Sequence, residues 1–509
     1  MSLVKVHTGA LLGVEAVRIT VEVSVSQGIR FFIVGLADNA IRESQQRIES
    51  ALVQSGFEWP HYRIVINLAP ADLRKEGSHF DLPLALGILA ASEAIDPEKL
   101  DAYLAVGELS LDGSVHPVRG VLPMALLARK EGFRGILVPA ANGREASVVQ
   151  GLDVVPLGCL NDVKAFLEGR RTEIPVLPPE TSAPVRSVRD YADVRGQEAV
   201  KRAFVIAAAG NHNLLMVGSP GSGKSMMAAR LPAILPPMGP EEAIQATMVH
   251  SVAGKVGPGD GLMKQRPFRA PHHTISHIAM IGGGSRPQPG EISLAHHGVL
   301  FLDELTEFKR HVLEVLRQPL EEGAVAIARA GYRVTYPADF LLVAAMNPCP
   351  CGYYNHPGKE CQCGPGTIKR YLSRISGPLL DRIDLHVEIR PVSFGDMSDR
   401  PPGTGTADMA TQVAMARRLQ SERFQGENRP VCNARMESAH RFRHCALGAE
   451  GTRLMRHAME AFGLSARSYE KVVKVARTIA DLDGSPVIGT AHVAEALTYR
   501  TLDREIWSG

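Results

Sequence analysis

Short apolar runs alternate with helical patterns through the centre of the chain. The runs NLLMVG (213–218), GVLFLDE (298–304) and DFLLVAAMN (339–347) each have the length of a buried strand, and SMMAARLPAIL (225–235) has the apolar spacing of a helix. This alternation is typical of a parallel sheet covered by helices, with its chemistry at the carboxyl ends of the strands. We therefore predict an α/β domain at the centre.

Two proline-rich stretches with few apolar residues divide the chain. Residues 172–190 and 391–409 have the composition of linkers. They separate an N-terminal domain, 1–171, from a central domain, 191–390, and the central domain from a C-terminal segment, 410–509. Apolar residues in this last segment recur at helical spacing, so we expect a small helical lid.

The composition is that of a folded globular protein. The chain has 509 residues, of which 45% are hydrophobic and 22% are charged, enough for several domains with cores of their own. Its first residues lack the pattern of a signal peptide, and no stretch is apolar over the ~18 residues that a membrane helix needs. We therefore expect a cytoplasmic protein with no membrane partner. The net charge of +2 neither requires nor excludes nucleic acid, since binding depends on how cations cluster.

The strongest chemical motif is GSPGSGKS (218–225), which fits the P-loop pattern G-x-x-x-x-G-K-[ST]. It follows a predicted strand and opens a predicted helix, as the motif requires. Its backbone N–H groups would surround the β-phosphate of ATP, Lys224 would reach the β- and γ-phosphates, and the Ser225 hydroxyl would bind Mg²⁺. The residues predicted to bind ATP are Gly218, Ser219, Pro220, Gly221, Ser222, Gly223, Lys224 and Ser225.

Polar residues at the ends of the other two strands complete a hydrolytic site. Asp303 would hold Mg²⁺, and Glu304 would orient and deprotonate the attacking water. Asn347 is placed to bind the γ-phosphate or the water, although an asparagine before a proline is also common in turns. Phosphoryl transfer further calls for a cation near the γ-phosphate. The candidates are Arg374, Arg382 and Arg467, each of which is equally compatible with a structural ion pair.

In this order, the P-loop, VLFLDE, Asn347, LLDRID and the lid arginine make the centre resemble the AAA+ ATPases. The segment 266–305, joined to MNPCPCG (346–352), makes nearly the whole chain similar to the magnesium-chelatase-like YifB/ComM family. The resemblance implies ATP hydrolysis by a homo-oligomeric ring, usually a hexamer, and, for ComM members, branch migration of DNA. It also implies that Arg382 reaches into the site of the neighbouring protomer and that Arg467 is the lid sensor.

The N-terminal domain has a resemblance of its own. The segments 75–89 and 107–133 look like the proteolytic domain of the Lon family, which implies a ribosomal-S5-like α/β fold. Lon chemistry needs a serine nucleophile activated by a lysine. Here Ser78 stands in a different residue order, VLPM (121–124) replaces the lysine, and Lys75 does not occupy the motif position. We therefore expect the fold without the catalytic dyad.

Two further segments are candidates for contact with DNA. Alternating runs over 324–340 predict a hairpin, and the resemblance to helicases places its tip in a central channel. Arg329, Tyr332 and Arg333 would then meet a bound strand, with an ordinary exposed hairpin as the alternative. The segment 261–290 has no acidic residue and is compatible with a pore lining, a protomer contact or a folded turn region.

Four of the seven cysteines form the pattern C-x-C-x₉-C-x-C within an insertion over 349–363. Four thiolates satisfy tetrahedral Zn²⁺, and the metal would fold a loop rich in glycine and polar residues. The usual structural pattern is C-x₂-C, so unligated thiols and a redox or iron–sulfur role stay open. The predicted zinc ligands are Cys349, Cys351, Cys361 and Cys363.

Together these features predict an ATP-driven motor that uses Mg²⁺ and acts on branched or single-stranded DNA without reading its sequence. Branch migration, in recombination or natural transformation, is the task that the resemblance implies. One alternative is a chelatase-like or chaperone-like ATPase that remodels a protein partner. A less favoured alternative is an ATP-dependent protease.

Overall fold

The structure is a computed structural model. It describes residues 2–170, 190–284, 287–329, 332–391, 403–426 and 432–500. Most of the two predicted linkers, together with the tip of the predicted hairpin at 330–331, lies outside the described residues.

The N-terminal part combines strands and helices around one sheet. Its strands are β1 (Ser2–Leu12), β2 (Glu15–Ser26), β3 (Phe31–Val34), β4 (Arg63–Ala69), β5 (Tyr103–Ala105), β6 (Glu108–Leu109), β7 (Val115–His116), β8 (Gly135–Pro139) and β9 (Asp153–Leu157). Its helices are α1 (Asn39–Arg42), α2 (Ser44–Gln54), α3 (Asp81–Ala91), α4 (Pro97–Leu100), α5 (Val121–Lys130), α6 (Gly143–Ala146) and α7 (Leu160–Leu167). The seven-stranded sheet has the order β3-β4-β2-β1-β5-β8-β9.

The long hairpin β1–β2 is the centre of this sheet. Its strands pair in register from Ser2 opposite Val25 to Leu12 opposite Glu15, and Gly13 takes φ +69° at the turn. Helix α3 is buried at every position, because it packs against both strands of this hairpin. A continuous apolar core results on that face of the sheet.

The central part is a parallel sheet covered by helices. Its strands are β10 (Leu214–Gly218), β11 (Phe268–Arg269), β12 (Gly282–Gly283), β13 (Gln288–Pro289), β14 (Val299–Leu302), β15 (Ala324–Arg329), β16 (Tyr332–Pro337), β17 (Leu341–Met346) and β18 (Leu385–Ile389). Its helices are α8 (Glu198–Gly210), α9 (Lys224–Ala228), α10 (Pro240–Val252), α11 (His277–Ile281), α12 (Glu291–Leu294), α13 (Arg310–Glu314), α14 (Arg317–Glu322), α15 (Pro365–Leu372) and α16 (Gly377–Leu380). Five strands pair in parallel in the order β11-β14-β17-β10-β18, and β15 pairs with β16 as the predicted hairpin.

The C-terminal part is helical, as predicted. Its helices are α17 (Thr406–Arg423), α18 (Ser438–His444), α19 (Ala449–Phe462), α20 (Ala466–Leu482) and α21 (Thr490–Thr498). Helix α20 packs against α8 and α21. The α/β class, with a parallel central sheet and a helical C-terminal region, is thus confirmed.

Two sequence-based boundaries are wrong. The helix predicted over 225–235 ends at Ala228, and a short 3₁₀ turn, Leu231–Ala233, follows it, because Pro232 cannot donate the hydrogen bond that would continue the α-helix. The linker predicted over 391–409 already contains the start of α17 at Thr406. The Asp190 carboxylate accepts hydrogen bonds from the Thr406 N–H and hydroxyl at 2.7 and 2.8 Å, which fixes that start.

The N-terminal and central parts meet along α5 and α10. The Ser251 hydroxyl, in α10, donates to the Glu145 carboxylate at 2.5 Å, and the Ser251 carbonyl accepts from the Gly120 N–H at 3.2 Å. The Gly259 N–H donates to the Ala141 carbonyl at 3.1 Å. Because the Glu145 carboxylate also accepts from the Leu122 N–H, one buried acid connects the two parts.

Candidate active site

Three neighbouring parallel strands bring the predicted nucleotide-binding residues together. The P-loop follows β10, Asp303 and Glu304 follow β14, and Asn347 follows β17, which lies between these two strands in the sheet. Carboxyl ends of parallel strands share one edge, so residues far apart in sequence meet there. The strand ends therefore converge as the apolar runs predict.

Lys224 is the centre of this arrangement. Its Nζ donates to the carbonyls of Gly218 and Ser219 at 2.8 and 2.9 Å, and to Asn347 Oδ1 at 3.1 Å. Burial lowers the pKa of Lys224, while Asp303 and Glu304 act in the opposite direction. A phosphate would replace the two carbonyls with charged oxygens, which are stronger acceptors for an ammonium group.

Ser225 and Asp303 form the oxygen pair expected of a magnesium site. The Ser225 hydroxyl donates to Asp303 Oδ2 at 2.5 Å, and the other carboxylate oxygen accepts from the Glu304 N–H at 2.9 Å. A hydroxyl and a carboxylate oxygen side by side match the hard oxygen ligands that Mg²⁺ takes next to a phosphate. The two residues therefore fit the predicted role.

Glu304 stands in a conformation that few residues other than glycine adopt. Its φ is +52°, in the left-handed region, and its side chain is 56% exposed. Such backbone strain persists where the surrounding structure fixes it, often at functional sites. Glu304 Oε2 lies 3.0 Å from His273 Nδ1. His273 thus holds the carboxylate predicted to act as the base.

The sequence reasoning did not identify His273 as a partner of Glu304. The histidine follows β11, the edge strand that pairs in parallel with β14, so the two residues lie just past neighbouring strand ends. Only Phe268 and Arg269 form β11, which is too short for its apolar pattern to be recognised. The pairing register of β11 with β14 brings His273 close to Glu304, and the apolar pattern of the sequence does not show this register.

Two of the three candidate arginines, Arg374 and Arg382, have hydrogen-bond partners within the protomer. Arg382 Nη1 donates to the Pro378 carbonyl at 2.6 Å, and its Nη2 donates to the Glu321 carboxylate, which leaves the side chain 13% exposed. Arg374 bonds the Thr306 carbonyl and the Glu307 carboxylate, both at 3.2 Å, in the turn after Glu304. Arg467 is exposed in the first turn of α20.

A half-buried acid connects the lid to the turn that carries Arg382. Asp384 accepts from the Asn213 N–H at 3.1 Å and lies 3.3 Å from Lys471 Nζ and 3.6 Å from His212 Nδ1. Burial raises the pKa of Asp384, but the positive charge of Lys471 and the hydrogen bond with His212 outweigh burial and hold the pKa below its usual range. Lys471 lies in α20, one turn beyond Arg467. Asp384 therefore links the sensor helix to the segment that follows Arg382.

The four clustered cysteines come together as the pattern predicts. Their sulfur atoms all lie within 4.8 Å of one another. Cys349 Sγ is 3.3 Å from Cys351 Sγ and 3.7 Å from Cys361 Sγ, and Cys351 Sγ is 3.6 Å from Cys361 Sγ. Tetrahedral zinc with bonds of about 2.3 Å requires sulfur separations of about 3.8 Å. The backbone N–H of Tyr353 lowers the pKa of Cys351 to about 6, together with bonds from neighbouring groups. The residues therefore fit zinc.

The cationic segment 261–290 is largely occupied by internal contacts. Arg266 bonds the carbonyls of Pro236 and His297 at 2.6 and 2.7 Å and the Glu242 carboxylate at 2.8 Å. Arg269 forms a two-pronged bond with Glu291 at 2.6 and 2.8 Å. These two arginines stabilise the fold through internal bonds, and the pore-lining interpretation of the segment stays a prediction.

The predicted hairpin is present as β15 and β16. Arg329 pairs with Tyr332 at its outer end, and the Arg333 side chain is exposed. Tyr336, on the same strand, is buried, and its hydroxyl donates to the Pro287 carbonyl at 2.7 Å. The side chains of Arg329 and Tyr332 lie outside the described residues, so their contact with DNA stays a prediction.

In the N-terminal part, the serine and the lysine nearest to the Lon pattern have separate partners. The Ser78 hydroxyl donates to the Glu108 carboxylate, and Lys75 Nζ donates to the Pro70 carbonyl. Burial lowers the pKa of Lys75. The VLPM segment lies in α5 and is buried.

Among the described residues, no helix combines the length and the apolar character needed to cross a membrane.

Comparison with known proteins adds independent information. Family models described as "Magnesium chelatase, subunit ChlI", "Subunit ChlI of Mg-chelatase" and "Magnesium chelatase, subunit ChlI C-terminal" match residues 190–397, 21–142 and 403–500. The chain is 44% identical to YifB of Escherichia coli and to competence protein ComM of Haemophilus influenzae, over 99% of this chain and 98% of each relative. It is 24% identical to the magnesium-chelatase 38 kDa subunit of Rhodobacter capsulatus, over 63% of this chain and 89% of that protein. Identity at this level over the full length shows that the chain belongs to the YifB/ComM family of magnesium-chelatase-like AAA+ proteins.

Proposed function

We propose that this protein is an ATP-hydrolysing ring motor that acts on DNA as a branch-migration helicase. The observation that carries the ATPase part is the meeting of Lys224, Ser225, Asp303 and Asn347 at the ends of three adjacent parallel strands. This arrangement offers a phosphate cradle, a pair of magnesium ligands and a polar group beside the γ-phosphate. The proposal places the protein in the cytoplasm, where ATP and DNA are both found.

In the proposed reaction, each residue acts at a definite atom. Lys224 would release the two carbonyls to bind the β- and γ-phosphate oxygens. Ser225 and Asp303 would hold Mg²⁺, and that ion would supply charge neutralisation at the phosphates. Glu304 takes a proton from the attacking water, and Asn347 keeps that water or the γ-phosphate in line. His273 contacts the Glu304 carboxylate and holds it in position.

Ring assembly would complete the site. In the protomer Arg382 bonds Glu321 and the Pro378 carbonyl rather than any P-loop residue, so its proposed target is the site of the neighbouring copy. A residue supplied across such an interface repeats around a closed ring, and the family resemblance favours a homohexamer. The Arg467 sensor would approach the nucleotide from the lid of the same protomer.

The DNA part of the proposal has two supports. The hairpin of β15 and β16 carries an exposed arginine, Arg333, and cationic and aromatic hairpins suit a strand bound without sequence reading. The second support is the 44% identity to a competence protein, ComM. A chelatase-like or chaperone-like ATPase that remodels a protein partner is the second candidate, favoured by the similarity to the magnesium-chelatase 38 kDa subunit.

ATP turnover with and without forked DNA separates these functions. We expect DNA to raise the turnover of the wild-type protein and ATP to drive strand exchange on a labelled fork. Arg333→Ala should reduce DNA stimulation, whereas Arg418→Ala, which removes an exposed arginine from helix α17, should not. If no DNA changes the rate of ATP turnover and ATP drives no strand exchange on the fork, the helicase function is contradicted. That result would favour the remodelling function.

We also propose that the cysteine cluster holds one structural Zn²⁺. Metal analysis of the purified chain should then find about one zinc per protomer. Cys361→Ser should lose the metal and lower the melting temperature. Cys159→Ser is the matched control, because Cys159 lies outside the cluster at the start of α7, where serine is also a good cap. A zinc-free wild-type protein would contradict this proposal.

A further inference from the structure

The cysteine loop and the P-loop touch each other. Gly352, next to Cys351, has φ +82°, and its N–H donates to the Cys349 carbonyl at 3.0 Å. A Cβ atom at Gly352 would lie 2.5 Å from Cδ and 2.8 Å from Cγ of Pro220 in the P-loop. Both distances are shorter than real contacts allow, so only glycine permits this approach.

The two loops are joined at a second point. Asn347 ends the strand that leads into the cysteine loop, and its Oδ1 accepts from Lys224 Nζ at 3.1 Å. The short segment from Asn347 to Gly352 therefore contacts the P-loop through one side chain and one stretch of backbone. At the next residue of the P-loop, a Cβ at Gly221 would meet nothing within 4 Å. The contact of the P-loop with the cysteine loop is therefore made at Pro220 and Lys224.

We propose that Gly352 is a positioning residue, through which the metal-pinned cysteine loop sets the shape of the P-loop and hence the affinity for nucleotide. The inference rests on the proposed ATP-binding function. A phosphate cradle made of backbone N–H groups binds only when the backbone is ordered, and glycine-rich loops pay an entropic cost for that order. A rigid neighbour at Pro220 reduces the cost.

The proposal has a reciprocal consequence. If zinc in the cluster favours the P-loop shape that binds nucleotide, then bound nucleotide must favour retention of zinc by the same factor. The two ligands need not touch each other for this coupling, because the contact between Gly352 and Pro220 transmits it. Nucleotide binding and metal retention are therefore two readouts of one contact.

The first test compares two glycines of the same loop. Gly352→Ala should weaken binding of ADP, measured by calorimetry in the presence of Mg²⁺, by about tenfold, because the new methyl group and the positive φ both push Pro220 away. Gly358→Ala is the matched control, since its Cβ would meet only the His356 ring at 3.8 Å. Both variants should keep the wild-type zinc content.

A double-mutant cycle isolates the contact. Pro220→Ala removes the two ring atoms that the Gly352 methyl group would meet, so Gly352→Ala should cost much less ADP affinity in that background than in the wild type. An equal cost in both backgrounds would mean that the contact is not the cause and would overturn the inference.

Zinc transfer supplies a test on the unaltered chain, which holds even if Gly352→Ala does not fold. ADP with Mg²⁺ should shift the equilibrium partition of zinc between the wild-type protein and a coloured competing chelator toward the protein, and an unchanged partition would overturn the inference. A wild-type protein that binds no ADP would instead refute the proposed function. Normal ADP affinity in folded, zinc-loaded Gly352→Ala would refute the inference alone.

Discussion

Lys75 and Lys224, one in each α/β part, are both buried lysines, but different groups surround them. Lys75 and Lys224 both donate to backbone carbonyls, and burial lowers the pKa of both. Lys75 is fully buried, and the nearby Ser78 bonds Glu108 instead. Lys224 is 9% exposed and also bonds Asn347, at the edge where three parallel strands end.

The two sites differ in the number of polar groups that meet at the lysine, and not in the types of residue present. In the central part, parallel strand ends bring a hydroxyl, a carboxylate and an amide to the lysine, which makes a set of groups able to hold a charged ligand. In the N-terminal part, Lys75 and Ser78 are close in sequence but satisfy separate partners. A serine near a lysine in the sequence is therefore weak support for a catalytic pair.

The largest expected effect tests this comparison directly. Lys224→Ala should lower ATP turnover by about 100-fold or more, because it removes the cation that meets the phosphates. Lys75→Met, which removes the buried ammonium group at residue 75 of the N-terminal part, should keep turnover within about twofold, since the two sites are independent. Steady-state phosphate release measures both. An equal loss in the two variants would show that the N-terminal part takes part in hydrolysis.

Glu304→Gln should have the next largest effect. Removing the base lowers turnover by about 10² to 10⁴-fold, while the P-loop still binds nucleotide. Rapid filtration with labelled ATP should therefore recover unhydrolysed ATP on the variant. Normal turnover would mean that another group is the base. The left-handed conformation of Glu304 would then have no catalytic explanation.

His273→Ala should have a moderate effect. The variant frees the Glu304 carboxylate from its contact at 3.0 Å, so the rate constant for turnover should fall about fivefold with unchanged ADP affinity. His277→Ala removes an exposed histidine from the following helix and is the control. A parallel loss of ADP affinity in His273→Ala would mean that the histidine shapes the whole site rather than the base.

Ser78→Ala should have the smallest effect. Its hydroxyl bonds Glu108 and not a lysine, so ATP turnover should stay unchanged and casein should remain intact with either protein. If the wild-type protein cleaves casein and the variant does not, Ser78 is a nucleophile and the N-terminal site is catalytic after all. Gel analysis of casein over several hours is sufficient.

Local motifs explain what the sequence predicts well. The P-loop, the acidic strand end, Asn347 and the cysteine pattern each occupy a few neighbouring residues, and parallel strands bring the first three together. The hairpin 324–340 and the helices of the C-terminal part follow from apolar period alone. The sheet topology confirms the α/β class, and the family models and relatives confirm the family.

Contacts between distant residues explain what the sequence does not predict. The start of α17 at Thr406 depends on Asp190, and the pairing of His273 with Glu304 depends on a two-residue strand. Arg266 looks like a free cation in the sequence, yet it bonds Glu242 and two carbonyls far along the chain. Such partners become visible only in three dimensions, since composition and period carry no information about them.

The half-buried Asp384 has a mechanical consequence for the turn that holds Arg382. Lys471 of the lid helix contacts both Asp384 and the Ile383 carbonyl, directly behind Arg382. A displacement of helix α20 would therefore be transmitted through this ion pair and this hydrogen bond to the turn that holds Arg382.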